Sequence, residues 1–286
     1  MWSILNFKPK MPDNSQFSVL LSAYKNDRAE DFRSAVESIS IKQTLKPDEI
    51  VIVVDGPVPE TLSNTIKSLE KEIPSISTHW LEQNVGLGNA MNIGVNLCSH
   101  DLIARMDADD IATPNRFEKQ TQFIRENPHI SIVGGQIAEF IDDTQNIVGH
   151  RIVPCKTDEL SYYTKSRCPF NHMTVMFKKS DVLEVGNYLD WHYNEDYYLW
   201  IRMAEAGCKF ANLPDTLVNV RVGKDMYARR GGWKYFKSEK GLQDYMLKKN
   251  IISLPRYIFN VAVRFGVQVA MPNSLRAFVF QKLFRK

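Results

Sequence analysis

The chain has 286 residues, of which 44% are hydrophobic and 24% are charged, enough for a substantial core in one large or two small domains. The net charge of +3 combines eight cations and no acid in residues 245–286 with an acidic excess before them. An acidic body with a basic tail excludes a nucleic-acid binder that is basic over its whole face.

The four cysteines are scattered, without a CxxC pair or zinc spacing, so reduced thiols of a cytosolic protein are expected. The N-terminal residues lack the apolar core of a signal peptide. No stretch reaches the roughly eighteen uninterrupted apolar residues of a membrane span. These features predict a cytoplasmic protein.

Strands and helices alternate between residues 17 and 135, which predicts an α/β fold with right-handed crossovers and a parallel sheet covered by helices on both faces. A capping box at Asp27 and Glu30 predicts the start of the first helix, and Thr113-Pro114 predicts the start of a later one. The predicted strands are 17–22, 49–55, 76–81, 102–107 and 130–134, and the helices begin near residues 27, 60, 88 and 113.

After Gly135 the pattern changes to shorter strands within 136–153 and 173–177, followed by a helix over 195–206 that ends at Gly207. We expect both halves to share one sheet. The predicted organisation is a catalytic domain over 1–244, with a nucleotide-sugar-binding half (17–135) and an acceptor-binding half (136–244), and a helical tail over 245–286.

Three carboxylates, Asp107, Asp109 and Asp110, follow the apolar run at 102–106. In extended geometry Asp107 and Asp109 point to the same side of the chain, at the edge of the sheet where α/β proteins bind ligands. Hard oxygen ligands of this kind suit Mg²⁺ or Mn²⁺ bound together with substrate phosphates. The alternative is an acidic turn that caps the next helix.

Three further segments have chemistry that suits a nucleotide-sugar site. Asp55 ends an apolar strand and could accept hydrogen bonds from a base or ribose, or it could start a turn. The loop at 83–92 leads into a helix N-terminus that can approach phosphate or sugar closely. Glu195 and Asp196 lie in a first helical turn, where a carboxylate stays ionised and could act as a general base or serve structure alone.

In their order and spacing these segments resemble the family 2 glycosyltransferases. The matching segments are 18–24, 52–56, 84–88 with Asn92, 106–110 and 195–200. The resemblance implies the GT-A fold, an inverting mechanism and a role in bacterial O-antigen, capsule or exopolysaccharide synthesis. Without the QxxRW motif of processive synthases, addition of one sugar per acceptor is expected.

The resemblance also implies roles for single residues. Ala23 and Asp55 would cradle the nucleotide base, and Asp107 would lie near the ribose or the metal. Asp109 would bind Mn²⁺ or Mg²⁺. Asp196, beside Glu195, would be the general base of catalysis. The nucleotide-sugar contacts would come from Ser22, Ala23, Tyr24, Asp55, Gly88, Asn92, Asp107 and Ala108. Two departures from the family pattern are Gly56-Pro57 after the second-strand acid and Asn89 at a position that is often basic.

Four more residues are candidates for acceptor or diphosphate contacts. Asp110 belongs to the acidic cluster. His172 resembles a histidine found near the acceptor side of such sites, or it is a packed loop histidine. Arg229 and Arg230 could close over the diphosphate, since arginine suits phosphate, or they form a solvated basic turn.

The tail is predicted to form two short helices broken at Pro272. In the first, Arg256, Asn260, Arg264 and Gln268 form one polar stripe, and in the second phenylalanines alternate with cations. Apolar side chains with cations and no acids predict a helix in an anionic membrane interface, or a helix packed on the domain.

The expected protein is a metal-dependent glycosyltransferase at the inner face of the cell membrane. It would transfer one sugar from UDP-Gal, UDP-Glc or an N-acetyl derivative to a saccharide, expected to be polyprenyl-diphosphate-linked. A nucleotidyltransferase is a second candidate, although the segment after the first strand lacks the expected glycine. A non-catalytic GT-A-like binding protein is a third.

Overall fold

The computed structural model describes residues 16–223 and 231–272. The strands are β1 (Phe17–Ala23), β2 (Glu49–Val54), β3 (Ile76–Trp80), β4 (Leu102–Arg105), β5 (Ile111–Ala112), β6 (Ile130–Phe140), β7 (Ile147–Arg151), β8 (Met176–Lys178) and β9 (Lys209–Arg221). The helices are α1 (Ala29–Ser38), α2 (Glu60–Glu72), α3 (Leu87–Leu97), α4 (Arg116–Glu126), α5 (Thr157–Thr164), α6 (Lys179–Glu184), α7 (Glu195–Glu205), α8 (Trp233–Lys248) and α9 (Leu254–Phe265).

In this part of the chain all strands belong to one sheet, ordered β3-β2-β1-β4-β8-β6-β9-β5, with β7 paired to β6. The first four strands pair in parallel, as βα units predict. β8 pairs antiparallel with both β4 and β6, which joins the two halves of the chain. The expectation of one shared sheet is confirmed, but the sheet is mixed because the second half adds antiparallel strands.

Both faces of the sheet are buried, as the apolar runs predict. In β1, Phe17, Val19 and Leu21 belong to the core that contains side chains of α1, α2 and α4. Leu20 points to the opposite face and joins the core formed with α3 and α7. Full burial of each such side chain contributes about 1.5–3 kcal/mol. This packing fixes the strand ends that carry the polar residues described below.

The shorter strands predicted after Gly135 are present as β7 and β8, but the predicted end of the preceding strand at Gly134 is wrong. β6 continues through Gly134 and Gly135 as one buried strand, with a shifted register to β9 around them. A Cβ on Gly134 would lie 2.4 Å from Asn212 Oδ1, and one on Gly135 would lie 2.5 Å from Leu217 Cδ1. The two glycines therefore permit close packing within the sheet instead of ending the strand.

The predicted starts of two helices are also wrong. α1 begins at Ala29 without a side-chain cap, and Asp27 instead accepts a hydrogen bond from the backbone N–H of Tyr24. α4 begins at Arg116. Thr113 forms backbone and side-chain hydrogen bonds with the Leu217 carbonyl, so pairing with β9 takes precedence over capping.

The last two described helices pack beside α7, where Tyr197 and Ile201 form a small core with α8 and the segment after it. α8 runs through the boundary predicted at residue 244. Of the predicted tail, α9 and a π-helical turn (Gly266–Ala270) are described, and the second predicted helix lies outside the described residues. Among the helices that the structure describes, none combines the length and the hydropathy of a membrane span.

Candidate active site

The predicted site residues meet at one edge of the sheet. β2 and β4 flank β1 in parallel, so their carboxyl ends lie side by side, as in other open α/β sheets. Ser22 and Ala23 end β1, and the exposed ring of Tyr24 follows them. Asp55 follows β2, and the acidic segment 107–110 follows β4.

Asp55 anchors the glycine-containing loop, a role that the sequence did not reveal. Its carboxylate accepts hydrogen bonds from Val85 N at 2.7 Å, Gly86 N at 3.0 Å and Asn84 Nδ2 at 2.8 Å. The side chain is buried, with 4% of its surface exposed. Its contact with a nucleotide base stays a prediction.

The same loop crosses directly above Gly56. This residue has φ +84°, and a Cβ on it would lie 2.5 Å from Asn84 N. Only glycine meets both conditions without strain. The glycine that departs from the family pattern after Asp55 therefore permits this loop to approach β2.

α3 begins next to the loop and brings the donor side of the site to α7. A Cβ on Gly88 would lie 3.2 Å from Glu195 Cβ, so the first turns of the two helices touch. Asn92 Nδ2 donates to the Tyr188 carbonyl at 2.7 Å. The Asn92 amide thus fastens α3 to the segment before α7, and its contact with a nucleotide sugar stays a prediction.

The acidic segment forms a bend between β4 and β5 rather than the extended strand that we expected. Asp110 is buried and accepts a hydrogen bond from Arg221 N at 2.9 Å, while Ala108 is buried within the bend. A cavity of about 250 Å³ opens here. It is lined by Asp107, Asp109, Asp110, Met173, Val220, Arg221 and Gly223.

The carboxylates around this cavity repel one another. Burial and the neighbouring charge of Asp107 raise the pKa of Asp109 to about 6. Burial, with Asp107 and Asp109, raises the pKa of Asp110 as well. Asp27, from the turn after β1, has a pKa raised to about 7 by burial and by Asp109 and Asp107. The site thus concentrates negative charge that a cation would stabilise.

A buried arginine lies below these acids. Arg105 is 2% exposed and forms an ion pair with Asp107. Its Nε and Nη1 atoms have no hydrogen-bond partner in the described part of the chain. The guanidinium also lowers the pKa values of Glu195 and Asp196, against the stronger effect of burial. Arg105 therefore interacts with both groups of acids.

Glu195 and Asp196 open α7 as predicted. Asp196 Oδ1 accepts a hydrogen bond from Tyr197 N at 2.7 Å, and Cys168 Sγ lies 3.6 Å from Oδ2. Burial raises the pKa of Asp196. Burial and the adjacent Asp196 raise the pKa of Glu195 to about 7. A carboxylate pair of this kind can accept a proton near neutral pH.

His172 belongs to an aromatic cluster behind the Glu195–Asp196 carboxylate pair. Its Nε2 lies 2.9 Å from the Tyr188 hydroxyl, and its ring meets that of Trp200 edge to face. Burial and Arg105 lower the pKa of His172 well below its usual range, which keeps the ring neutral. These contacts match the packed histidine, and an acceptor contact stays a prediction.

Three site residues were missed from the sequence. Arg221 donates from Nε to the Asp109 carbonyl at 3.2 Å, and its Nη2 forms an ion pair with Asp31 at 3.1 Å. Asp27 looked like a helix cap, and Arg105 looked like one polar residue within a strand. The sequence signal that could have revealed Arg105 is its charge, which interrupts the apolar run at 102–106 directly before the three aspartates. Arg229 and Arg230 lie outside the described residues.

The donor set around the cavity fits a divalent metal ion. Asp107 and Asp109 offer the hard carboxylate oxygens that Mg²⁺ and Mn²⁺ prefer, and such ions commonly complete their shell with water and substrate phosphates. Within residues 16–223 and 231–272, no group of three or more His, Cys, Asp or Glu side chains is arranged to hold an ion.

The fold and sequence match known proteins. The family model described as "Glycosyl transferase family 2" matches residues 18–183. The amylovoran biosynthesis glycosyltransferase AmsE of Erwinia amylovora is 40% identical over 93% of this chain and 98% of its own length. The UDP-Gal:alpha-D-GlcNAc-diphosphoundecaprenol beta-1,3-galactosyltransferase of Escherichia coli is 37% identical over 96% and 98%.

A solved structure supports the same fold. The mannosyltransferase of Pyrobaculum calidifontis, in complex with GDP-Man and Mn²⁺, superposes with a TM-score of 0.64. It is 13% identical, and the match covers 94% of this chain and 81% of that one. With this mixed sheet, and with a family match over more than half of its length, the chain belongs to glycosyl transferase family 2 and is a glycosyltransferase with the GT-A fold.

Proposed function

We propose that this glycosyltransferase inverts the anomeric centre as it transfers one sugar from a UDP-sugar to a lipid-diphosphate-linked saccharide in surface polysaccharide synthesis. The observation that carries the proposal is the proximity of two acid groups, 107–110 and 195–196. Arg105 pairs with Asp107 and also acts on Glu195 and Asp196, and the charge of Asp107 raises the pKa of Glu195. One group suits a diphosphate with its cation, and the other suits a proton acceptor.

Asp196 acts as the general base in this proposal. It takes the proton of an acceptor hydroxyl while that oxygen attacks the anomeric carbon of the donor sugar. The bond from this carbon to the diphosphate oxygen breaks, and UDP leaves with the electron pair. Attack from the face opposite the diphosphate inverts the configuration. The buried charge of Arg105 favours the ionised form of Asp196 before the transfer.

The donor side is assigned to the strand ends and the loop above them. Ser22, Ala23 and Tyr24 border the nucleotide base, Asp55 acts through the loop that it anchors, and Gly88 lets the start of α3 approach Glu195 on the donor side. Asp109, with Asp107, would hold Mn²⁺ or Mg²⁺, which when bound offsets the diphosphate charge. The mannosyltransferase of Pyrobaculum calidifontis, solved in complex with GDP-Man and Mn²⁺, supports the choice of a divalent cation.

The acceptor class follows from the relatives. The Escherichia coli relative is named for a diphosphoundecaprenol-linked GlcNAc acceptor, and the Erwinia amylovora relative for amylovoran biosynthesis. We assign a polyprenyl-diphosphate-linked sugar to this chain on that basis. A membrane-anchored acceptor requires the enzyme to work at the membrane surface, and we place it at the cytoplasmic face, where nucleotide sugars are available.

The test is direct transfer. Full-length protein with Mn²⁺ is incubated with UDP-Gal, UDP-Glc, UDP-GlcNAc or UDP-GalNAc and a GlcNAc-diphosphate acceptor carrying a short alkyl chain. Mass spectrometry measures the product, and NMR of the anomeric proton gives its configuration. We expect one donor to dominate and the configuration to invert. Retention of configuration, or pyrophosphate release from UTP and a sugar 1-phosphate instead of transfer, would contradict the proposal.

A further inference from the structure

α9 is oriented with its polar side toward the protein. Asn260 is 3% exposed. Its Nδ2 donates to the Lys165 carbonyl at 2.9 Å and to Gln243 Oε1 at 2.8 Å. About two turns further along, in the π-helical turn that follows α9, Gln268 is also buried. Asn260 thus ties the inward side of this helix to the domain by hydrogen bonds.

The two arginines of the stripe also bind the domain. Arg264 donates from Nη2 to the Ser166 carbonyl at 2.6 Å and forms an ion pair with Glu239. Arg256 donates from Nη1 to the Tyr162 hydroxyl at 3.0 Å. These cations were expected to attract a membrane, but their guanidinium groups face the protein. The polar stripe therefore fixes α9 in place.

The outward side of α9 is apolar. A helix on the surface of a globular protein normally shows the reverse arrangement, with polar side chains in water. The most exposed apolar side chains are Leu254 (57%), Ile258 (58%), Phe259 (65%), Val263 (47%) and Phe265 (42%). We call these residues the α9 outer face.

An aromatic residue of α8 extends the α9 outer face. Trp233 is 58% exposed, and its ring packs edge to face against Phe265 with centroids 5.8 Å apart. Tryptophan is enriched where a protein meets the interfacial region of a bilayer, because its ring is apolar and its N–H is polar. The surface therefore has the chemistry of a lipid interface.

The sequence that follows supplies matching charge. Residues 273–286 lie outside the described part of the chain, and their sequence contains four cations, three phenylalanines and no acid. They begin a few residues after the α9 outer face ends. An apolar surface that is followed in the sequence by an acid-free basic segment has the chemistry that suits anionic lipid rather than a neutral apolar partner.

We propose that the α9 outer face, with Trp233, docks on an anionic lipid bilayer. This inference deepens the proposed function, since it relies on the membrane-linked acceptor for its purpose. The α9 outer face supplies apolar burial, and residues 273–286 supply the electrostatic attraction. The two contributions are separable, because the arginines of α9 are engaged with the protein.

The experiment measures flotation of full-length protein with vesicles of phosphatidylcholine, alone or mixed with phosphatidylglycerol. The test variant is Ile258→Ser/Phe259→Ser, and the matched control is Ile41→Ser/Leu45→Ser, which removes exposed apolar side chains elsewhere. We expect the test variant to lose about tenfold or more in vesicle partitioning, and the control to bind like the wild type. A third variant, with Arg276, Lys282, Arg285 and Lys286 changed to Gln, should lose most of the preference for anionic vesicles and its salt dependence.

Sugar transfer to the short-chain acceptor separates this inference from the proposed function. All three variants should retain it, because none of the changed residues is among those assigned to the donor, the metal or the general base. Wild-type protein that ignores both vesicle types would overturn the inference, as would equal binding by the test variant. Sedimentation showing a wild-type dimer that Ile258→Ser/Phe259→Ser makes monomeric would assign the α9 outer face to a second copy instead.

Discussion

Asp196 is surrounded by groups with opposing effects on its charge. Burial raises its pKa, while the Tyr197 N–H, Arg105 and Arg151 lower it. Asp196→Asn keeps the shape but cannot take a proton, so we expect the transfer rate to fall about 10²–10⁴-fold with donor affinity little changed. Glu195→Gln is the matched control and should cost less. Steady-state kinetics with UDP titrations measures both, and the reverse ranking would make Glu195 the base.

The same pair predicts the pH dependence of transfer. The pKa of Glu195 is raised to about 7, and that of Asp196 is raised by burial. A raised pKa keeps a base protonated to a higher pH, so on acidification activity should begin to fall at a pH above the ordinary aspartate pKa of about 4. Glu195→Gln removes a neighbouring negative charge and should shift this acid limb to lower pH. An unshifted limb would show that Glu195 does not affect the base.

Asp109 carries the prediction about metal. Asp109→Asn removes a charged ligand, and we expect the Mn²⁺-dependent rate to fall about 10³-fold, which corresponds to several kcal/mol of transition-state stabilisation. Mn²⁺ titration followed by EPR with UDP present should show weaker binding. Asp215→Asn, an acid that pairs with Lys119 on the surface, is the control. Full wild-type activity in EDTA would refute the metal assignment.

The loop at 84–88 shows how one buried carboxylate organises an element. Asp55→Asn would turn an amide N–H₂ toward at least one of the donors that its carboxylate now binds. An unsatisfied buried donor costs about 1–3 kcal/mol. We expect a lower Tm and weaker UDP binding, measured by thermal shift and calorimetry. Glu82→Gln, an exposed carboxylate before the same loop, should change neither, and an unaltered Tm for Asp55→Asn would leave the anchoring role unsupported.

Helices and strands with a clear local pattern of apolar residues were predictable from the sequence. β2 and α7 lie within one residue of their predicted bounds, because a β-branched run and an amphipathic helix each have a local signature. β6 was cut short at Gly134, and β9 was not predicted. Their pairing depends on contacts between distant segments, such as Gly134 with Asn212, which no local pattern contains.

The candidate site was predictable to the same extent. Asp107, Asp109, Glu195 and Asp196 were recognised as candidates because their motifs are local and ordered along the chain, and their roles stay predictions. Arg105 and Arg221 were missed, since each acquires its place only when β4 and β9 are brought beside the acids. The polar stripe of α9 was recognised, but periodicity does not reveal which side of a helix faces the protein.

At the scale of the whole molecule, α7 connects the candidate active site to the proposed membrane-binding surface. The first turn of this helix carries the carboxylates of Glu195 and Asp196. Its next turns contribute Tyr197 and Ile201 to the small core shared with α8. α8 in turn carries Gln243 and Glu239, which hold α9. A docked α9 outer face would therefore set the orientation of the active site relative to the membrane through two packed helices.

Two truncations separate the contributions of the tail. Removal of residues 273–286 should leave UDP binding and Tm unchanged, because it leaves every contact described for α9 intact, and should weaken vesicle binding mainly at low salt. Removal of everything after Lys249 also deletes α9 and leaves Gln243 and Glu239 without these partners. This second truncation should abolish vesicle binding and lower Tm by several degrees, while UDP still binds at the distant strand ends. Flotation, thermal shift and calorimetry measure the three properties, and loss of UDP binding in the shorter protein would make α9 a structural part of the catalytic domain.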